Sequence, residues 1–312
     1  MADNTQLNKA SSAGDIIASD AIVDVAGQTI KHQRVKMQYG DDGSATDVSA
    51  TNRMPVADWF IEVGRGNVPG HSLVNKFGAA TVDSTLTPLC ESGTTGGIYR
   101  TPTTATALEF VSSSANDTAA GTGAREITVV GLDSNWNEVS QTVTTNGTTA
   151  VALGTNLIRL YRWFVSSSGS YASAAAGSHA GNLTVREAGA GATWSVIEAS
   201  PFPSGQSEIG AYTIPIGYSA YLVFKSVHVN SAKSADVQFF ARENANDVTA
   251  PYTGIMRVIQ HEVGVSGAEA TSFNYPRVKL TGPCDVGFLG SISSGTANIT
   301  CEFTLLMVQD GY

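Results

Sequence analysis

The chain has 312 residues, 42% apolar and 14% charged, with 18 Lys and Arg against 27 Asp and Glu and a formal charge of -9. Single cores stop growing near roughly 250 to 300 residues, so the length fits two β-domains and an arm better than one core. The acidic balance excludes a polyanion such as nucleic acid as partner, because counterion release needs clustered Lys and Arg, and no apolar run approaches the 18 or so residues that span a bilayer.

Few charges, many Ser and Thr, and 32 Gly describe an all-β protein, since β-branched and aromatic residues suit a pleated half-buried surface and Gly, Asn, Asp and Ser supply its turns. The first stretch, Met1 to Pro55, is polar, punctuated by glycine and without a helix period. Its apolar and basic beats are Ile30-Lys31-His32-Gln33-Arg34-Val35-Lys36-Met37, followed by Gly40-Asp41-Asp42-Gly43 and Asp47-Val48-Ser49. A segment so poor in core material has to borrow a surface, so residues 1–62 are expected to form a docking arm. Met1 to Ala10 lacks the basic-then-apolar pattern of a secretion leader, which sets the expectation of synthesis in a cytoplasm. Trp59-Phe60-Ile61-Glu62-Val63 alternates briefly as a strand would, and Gly64-Arg65-Gly66 with Pro69-Gly70 marks the end of the arm.

Residues 63–202 are expected to form a β-sandwich domain. A strand at Leu108-Glu109-Phe110-Val111 precedes a small-residue loop from Ser112 to Arg125. Ile127 and Val129, then Val139 and Val143, alternate with polar residues around a turn at Leu132 to Asn137, which predicts a hairpin with one polar face. Asn146-Gly147 predicts a type I′ turn into a strand at Ala150 to Leu153. Leu157 to Val165 is the strongest apolar run of this region and predicts a core strand, with Arg159 and Arg162 covering its edges by their stems. The Ser, Gly and Ala of residues 166–181 bury too little to offset ordering entropy and predict a mobile loop. Strands at Leu183 to Arg186 and Trp194 to Ile197 close the domain, and Pro201 and Pro203 mark a linker.

Residues 203–312 hold short strands at 209–215, 221–224, 227–229, 237–241, 256–259, 278–280, 286–292 and 299–308. Eight such strands with polar turns predict a jelly-roll-like domain. The last is the longest and is expected at the sheet centre, with Ile299, Cys301, Phe303, Leu305 and Met307 on one face at period two.

Catalytic constellations are scarce. His261-Glu262 begins an HExxH zinc motif, but Val265 stands where the second histidine belongs. No GxSxG elbow and no P-loop is present, and the other histidines stand singly, so no cofactor or metal is expected. Asp133, Glu138, Asp236, Glu243 and Asp247 are formal candidates for a glycosidase carboxylate pair, with turn capping the ordinary use of the aspartates. Cys90, Cys284 and Cys301 contain no CxxC pair and read as buried reduced thiols; a Cys284–Cys301 disulfide would need an oxidising compartment. Tyr161, Trp163 and Phe164 suit a core strand, or else a sugar-stacking cluster.

Several stretches carry a likeness. Ala2-Asp3-Asn4-Thr5, Gly14-Asp15-Ile16-Ile17, Gln33-Arg34-Val35-Lys36, Gly40-Asp41-Asp42-Gly43, Asp47-Val48-Ser49 and Pro55 resemble the N-terminal segment shared by virion proteins of tailed bacteriophages, those of cyanobacteria and marine bacteria included. The body continues it in Gly66-Asn67-Val68-Pro69-Gly70-His71-Ser72, Asn75-Lys76-Phe77-Gly78, Ser112 to Arg125 and Gly131-Leu132-Asp133. Asn52-Arg53-Met54-Pro55 departs from the Asn-Pro-Leu-Pro ending of that segment. The resemblance implies a structural component of the particle, without enzymatic activity, docked on capsid or tail proteins through Gln33, Arg34, Val35, Lys36, Asp47 and Val48. Together with the composition it sets the expectation of a homo-oligomer, a trimer foremost, serving as capsid decoration, cement or head fibre. The alternative is a tail or fibre appendage that binds a host receptor or glycan through loops 166–181 and 242–254.

Overall fold

The computed structural model describes residues 5–6, 16–17, 19–23, 27–33, 38–39, 46–47, 58–171, 177–200, 204–230, 232–273 and 278–312. The chain divides into two units, Met1–Ile61 and Glu62–Tyr312.

In the first unit the described backbone forms three antiparallel hairpins rather than bare coil. They are β1 (Thr5–Gln6) with β2 (Ile16–Ile17), β3 (Ser19–Val23) with β4 (Thr29–Gln33), and β5 (Gln38–Tyr39) with β6 (Thr46–Asp47). β3 and β4 pair Ile22 with Ile30, and Gly27 between them takes a φ of 76°, a conformation open to glycine without penalty. Each sheet has only two strands, and such ribbons are marginally stable at best when isolated in water.

Trp59–Gly64 is a helix, α1, not the short strand expected there. The Asp58 carboxylate explains the difference, because its Oδ1 accepts from Phe60 N–H at 2.9 Å and Ile61 N–H at 3.3 Å, the N-cap arrangement that satisfies orphan helix donors.

The second unit begins with β7 (His71–Val82), β8 (Thr87–Pro88), β9 (Leu108–Ser112), β10 (Ala124–Leu132), β11 (Glu138–Thr144) and β12 (Val151–Ala152). It continues with β13 (Arg159–Ser168), β14 (Leu183–Glu187), β15 (Thr193–Ile197), β16 (Ala211–Ile214), β17 (Tyr218–Val229) and β18 (Ala235–Glu243). Last come β19 (Arg257–Val265), β20 (Gly267–Ser272), β21 (Lys279–Thr281), β22 (Cys284–Ile292) and β23 (Ala297–Gln309). All named pairings are antiparallel.

The first sheet pair has strand orders β11-β10-β13 and β12-β9-β14-β15. Its core holds Phe110, Ile127, Trp163, Leu183 and Trp194. Trp163 packs edge-on to Phe110 at 6.2 Å, and its indole N–H donates to Ser195 Oγ at 2.9 Å, which answers the polar atom that burial of a Trp brings with it. The β10–β11 hairpin stands as expected, with the outer strand β11 alternating exposed and half-buried residues. Asn146-Gly147 is not a type I′ turn: Gly147 has a φ of 60°, Asn146 has no positive φ, and Asn146 instead bridges to Thr118.

The second sheet pair has orders β16-β22-β18-β19, with β8 also on β22, and β20-β17-β23-β7, with β21 also on β17. Its core draws on both sheets around Phe239, Phe288 and Phe303, whose ring centroids lie 5.0 to 6.0 Å apart. Burying each such side chain contributes roughly 1.5–3 kcal/mol. β23 is the longest strand and lies between β17 and β7, and Ile299, Cys301, Phe303, Leu305 and Met307 are all buried, as their spacing predicts.

Strand pairing crosses the boundary expected between residues 202 and 203. β7 pairs with β23 from Val82↔Ala297 to His71↔Val308, and β8 pairs with β22, so residues 71–88 are built into sheets that the C-terminal third otherwise forms. The reason lies in small residues. A Cβ on Gly78 would come within 2.1 Å of Gly210 N, so only glycine lets β7 approach the segment that leads into β16.

Candidate functional site

Of the six expected docking residues, Gln33 ends β4 opposite Ser19 and Asp47 ends β6 opposite Gln38. These two fall in different hairpins. Arg34, Val35, Lys36 and Val48 lie outside the described residues.

The body loops have structural work. Asp117, fully buried, accepts from Ser112 Oγ at 2.5 Å, Ala124 N–H at 2.7 Å, and the N–H groups of Ala180 and Gly181 at 2.9 Å each. One carboxylate therefore ties the Ser112–Arg125 loop to the far end of the loop expected at 166–181. The start of that loop continues β13 to Ser168, and residues 172–176 lie outside the described residues. Asp133 caps the β10–β11 turn, accepting from the N–H groups of Asn135 at 2.8 Å and Asn137 at 3.1 Å.

The candidate carboxylates do not converge on one another. Asp247 holds its own loop through Thr253 N–H and Oγ1 at 2.6 and 2.7 Å, and these bonds keep its carboxyl below the ordinary range. Asp236 accepts from Gly264 N–H at 3.1 Å, Glu138 accepts from the Tyr161 hydroxyl, and Glu243 faces Arg257 at 3.9 Å. Glu262 pairs with Lys225 across the two sheets, and among the described residues no His, Cys, Asp and Glu group is placed to hold a metal. The three cysteines are free and buried, and no Cys284–Cys301 bond forms. Tyr161 and Trp163 are core residues.

Three polar features at the joint between the sheet pairs escaped the sequence reading. The first is an ion pair. Arg159 on β13, expected to cover a strand edge, is instead wholly buried, and its Nε and Nη2 donate to Asp285 Oδ1 and Oδ2 on β22 at 2.8 and 2.9 Å. Thr213 Oγ1 donates to the same Oδ1 at 2.6 Å, Nη1 donates to the Ile158 carbonyl at 2.8 Å, and the guanidinium lies 4.8 Å from the Trp136 ring centroid. Bidentate geometry with the remaining donors satisfied is what makes a buried pair tolerable.

The second is Lys76 on β7, buried among apolar residues, whose Nζ donates to the Tyr161 carbonyl on β13. Burial pulls its ammonium down to about 7, against a smaller upward pull from Cys90.

The third is an acidic cleft of about 420 Å³, lined by Thr81, Ser92, Thr94, Asn298 and Thr300, with Glu91 and Glu198 at its wall. Glu208 opens on an adjoining depression that shares Thr300. Burial, then the charges of Glu208 and Glu198, then a hydrogen bond with Glu198 push the Glu91 carboxyl up to about 7. Burial and Glu198 also raise Glu208. Neighbouring carboxyls cannot all ionise cheaply, so this wall disfavours the ionised forms of Glu91 and Glu208. In sequence the three glutamates stand far apart and carry no pattern.

Among the described residues no helix is long and apolar enough to cross a membrane. No family model and no curated protein matches the sequence. Among solved structures, one described as "Structure of infectious bursal disease virus Gx strain" is similar over 77% of this chain and 73% of the viral chain, at 11% identity and a TM-score of 0.23. A likeness of that degree carries no argument about fold or role.

Proposed function

We propose that this chain is a non-enzymatic structural component of a tailed-phage virion, serving as capsid decoration, cement or head fibre and held by residues 1–62. The observation that carries the reading is the contrast between its units. Among its described residues Met1–Ile61 holds three two-stranded ribbons and the first turn of α1, while Glu62–Tyr312 holds two well-filled cores. Ribbons of that size gain order by adding to another protein's surface, and many copies on a lattice turn weak contacts into a durable one. In this reading the sheet pairs are two sandwiches, the second jelly-roll-like, and the protein works as a homo-oligomer, foremost a trimer, on capsid or tail proteins. The low charge and the phage-like segments agree with it.

Deleting residues 2–55 is expected to leave the circular dichroism of the body intact while abolishing incorporation into particles, read by electrophoresis of purified virions. Normal incorporation of the truncated chain would overturn the reading.

One observation favours a receptor-binding appendage as the second reading. Asp247 holds the loop that carries Tyr252, a residue 58% exposed, a disposition suited to stacking on a sugar. Binding of the intact protein to a glycan array, lost in Tyr252→Ala, supports it.

A further inference from the structure

β19 is an edge strand of unusual composition. It pairs with β18 on one side, and among the described residues its other side pairs with no strand. Such edges offer a row of free N–H and C=O groups, and proteins normally guard them with lysine, proline or short length. β19 has nine residues, no Lys and no Pro, and only Arg257 and Glu262 bear full charges.

Its side chains are apolar and open. Ile255 and Met256, which lead into the strand, are 57% and 53% exposed, and within it Val258 is 49%, Ile259 38% and Val263 72% exposed. They flank the strand on both sides. Ile255 and Ile259 line a groove of about 120 Å³ with Val278 and Leu280 of the other sheet, whereas Met256 shares the outer face of its sheet with Phe240 and Leu289. Together these five residues expose on the order of 500 Å² along the two flanks of the edge, more than half of the roughly 800 Å² each partner contributes to a standard interface.

We infer that this edge is a contact between copies of this chain, with β19 of one copy docking edge-on against β19 of another. Two observations favour a second copy over an unrelated chain. The unguarded edge carries its own complement of donors and acceptors. The apolar area approaches what such a contact needs without any other element. The inference extends the assembly reading above but is separable from it, because self-association is read on the purified chain and virion incorporation is not.

The test is light scattering and analytical ultracentrifugation of the full chain from micromolar to millimolar concentration, with Val258→Lys/Val263→Lys and, as control outside the patch, Ile216→Lys. The expected result is an oligomer that the double variant weakens by roughly tenfold or more and the control leaves unchanged. A wild-type chain that is monomeric throughout overturns the inference, as does an oligomer indifferent to the double variant. Hydrogen exchange on the unsubstituted chain gives a second reading free of any folding defect. Amides of residues 257–265 are expected to slow as concentration rises. If protection appears in residues 1–57 instead, the arm makes the contact and the inference falls.

Discussion

At the joint between the sheet pairs, the Arg159–Asp285 contact and the Glu91–Glu198–Glu208 wall are built from the same kinds of group and behave in opposite ways. In the first, both carboxylate oxygens and the guanidinium edge are matched by partners, so neither charge is left uncompensated. In the second, like groups face one another, and burial and its neighbours raise the Glu91 carboxyl to about 7. Lys76 stands between these cases, a buried cation that meets a carbonyl and leans toward its neutral form. A joint of this kind is held by one matched pair and tuned by two mismatched groups.

Breaking the matched pair tests the comparison most severely. Asp285→Ala leaves Arg159 buried without a counter-charge and is expected to cost about 3–5 kcal/mol in urea unfolding. Thr213 and the Tyr99 hydroxyl keep each other as partners at 2.6 Å, which limits the damage to the cation. Arg159→Met/Asp285→Leu is expected to recover most of that loss, because removing both charges also removes their desolvation cost. If the double variant is as unstable as the single one, the pair's value lies in shape and not in charge balance.

The same residues show what could be read in advance. Alternating strands such as β10, β11 and β23 announce themselves, because one buried face forces a period of two on the sequence. The Asp58 cap was missed although an Asp before an apolar run is a known helix start, because the run is only six residues long. β20, Gly267–Ser272, has little strand propensity and owes its place to pairing with β17. β7 hides its membership in the second sheet pair, since Gly78 is needed for close approach and the run Gly78-Ala79-Ala80 carries no amphipathic signature. Arg159 is the hardest case. An arginine in an apolar run is ordinarily a snorkelling edge residue, and only the partner Asp285, 126 residues away, makes burial affordable. The acidic wall was invisible for the same reason, its members being joined by topology alone.

Lys76→Met sharpens the contrast at intermediate size. Between a folded value of about 7 and the ordinary 10.5, the unfolded chain binds a proton that the folded chain does not, so wild-type stability rises with pH across that window. The substitution is expected to flatten that rise and to stabilise the protein by a few kcal/mol at pH 6, where the ammonium is charged in both states. Urea midpoints at pH 6, 8 and 10 check it. A wild-type profile that is flat from pH 7 to 10 would mean that Lys76 keeps its charge against the Tyr161 carbonyl.

The smallest effect belongs to the acidic wall. Glu91 is raised in the fold from an ordinary 4.5 to about 7, so its contribution is fully present below pH 4.5 and is lost as pH rises through 7, the reverse of the Lys76 profile. The carboxyl is half-buried, so solvent screening reduces the size of the change. Glu91→Gln keeps the hydrogen bond to Glu198 available while removing the titration. Its stability is expected to match wild type at pH 4.5 and exceed it modestly at pH 8, with the difference opening mainly between pH 5 and 7. Thermal melts of both proteins across that range decide it, since a constant difference would mean that Glu91 is not the raised carboxyl of this wall. A difference that shrinks with rising pH would show that the fold favours the ionised form of Glu91, the opposite of what burial against Glu208 and Glu198 imposes.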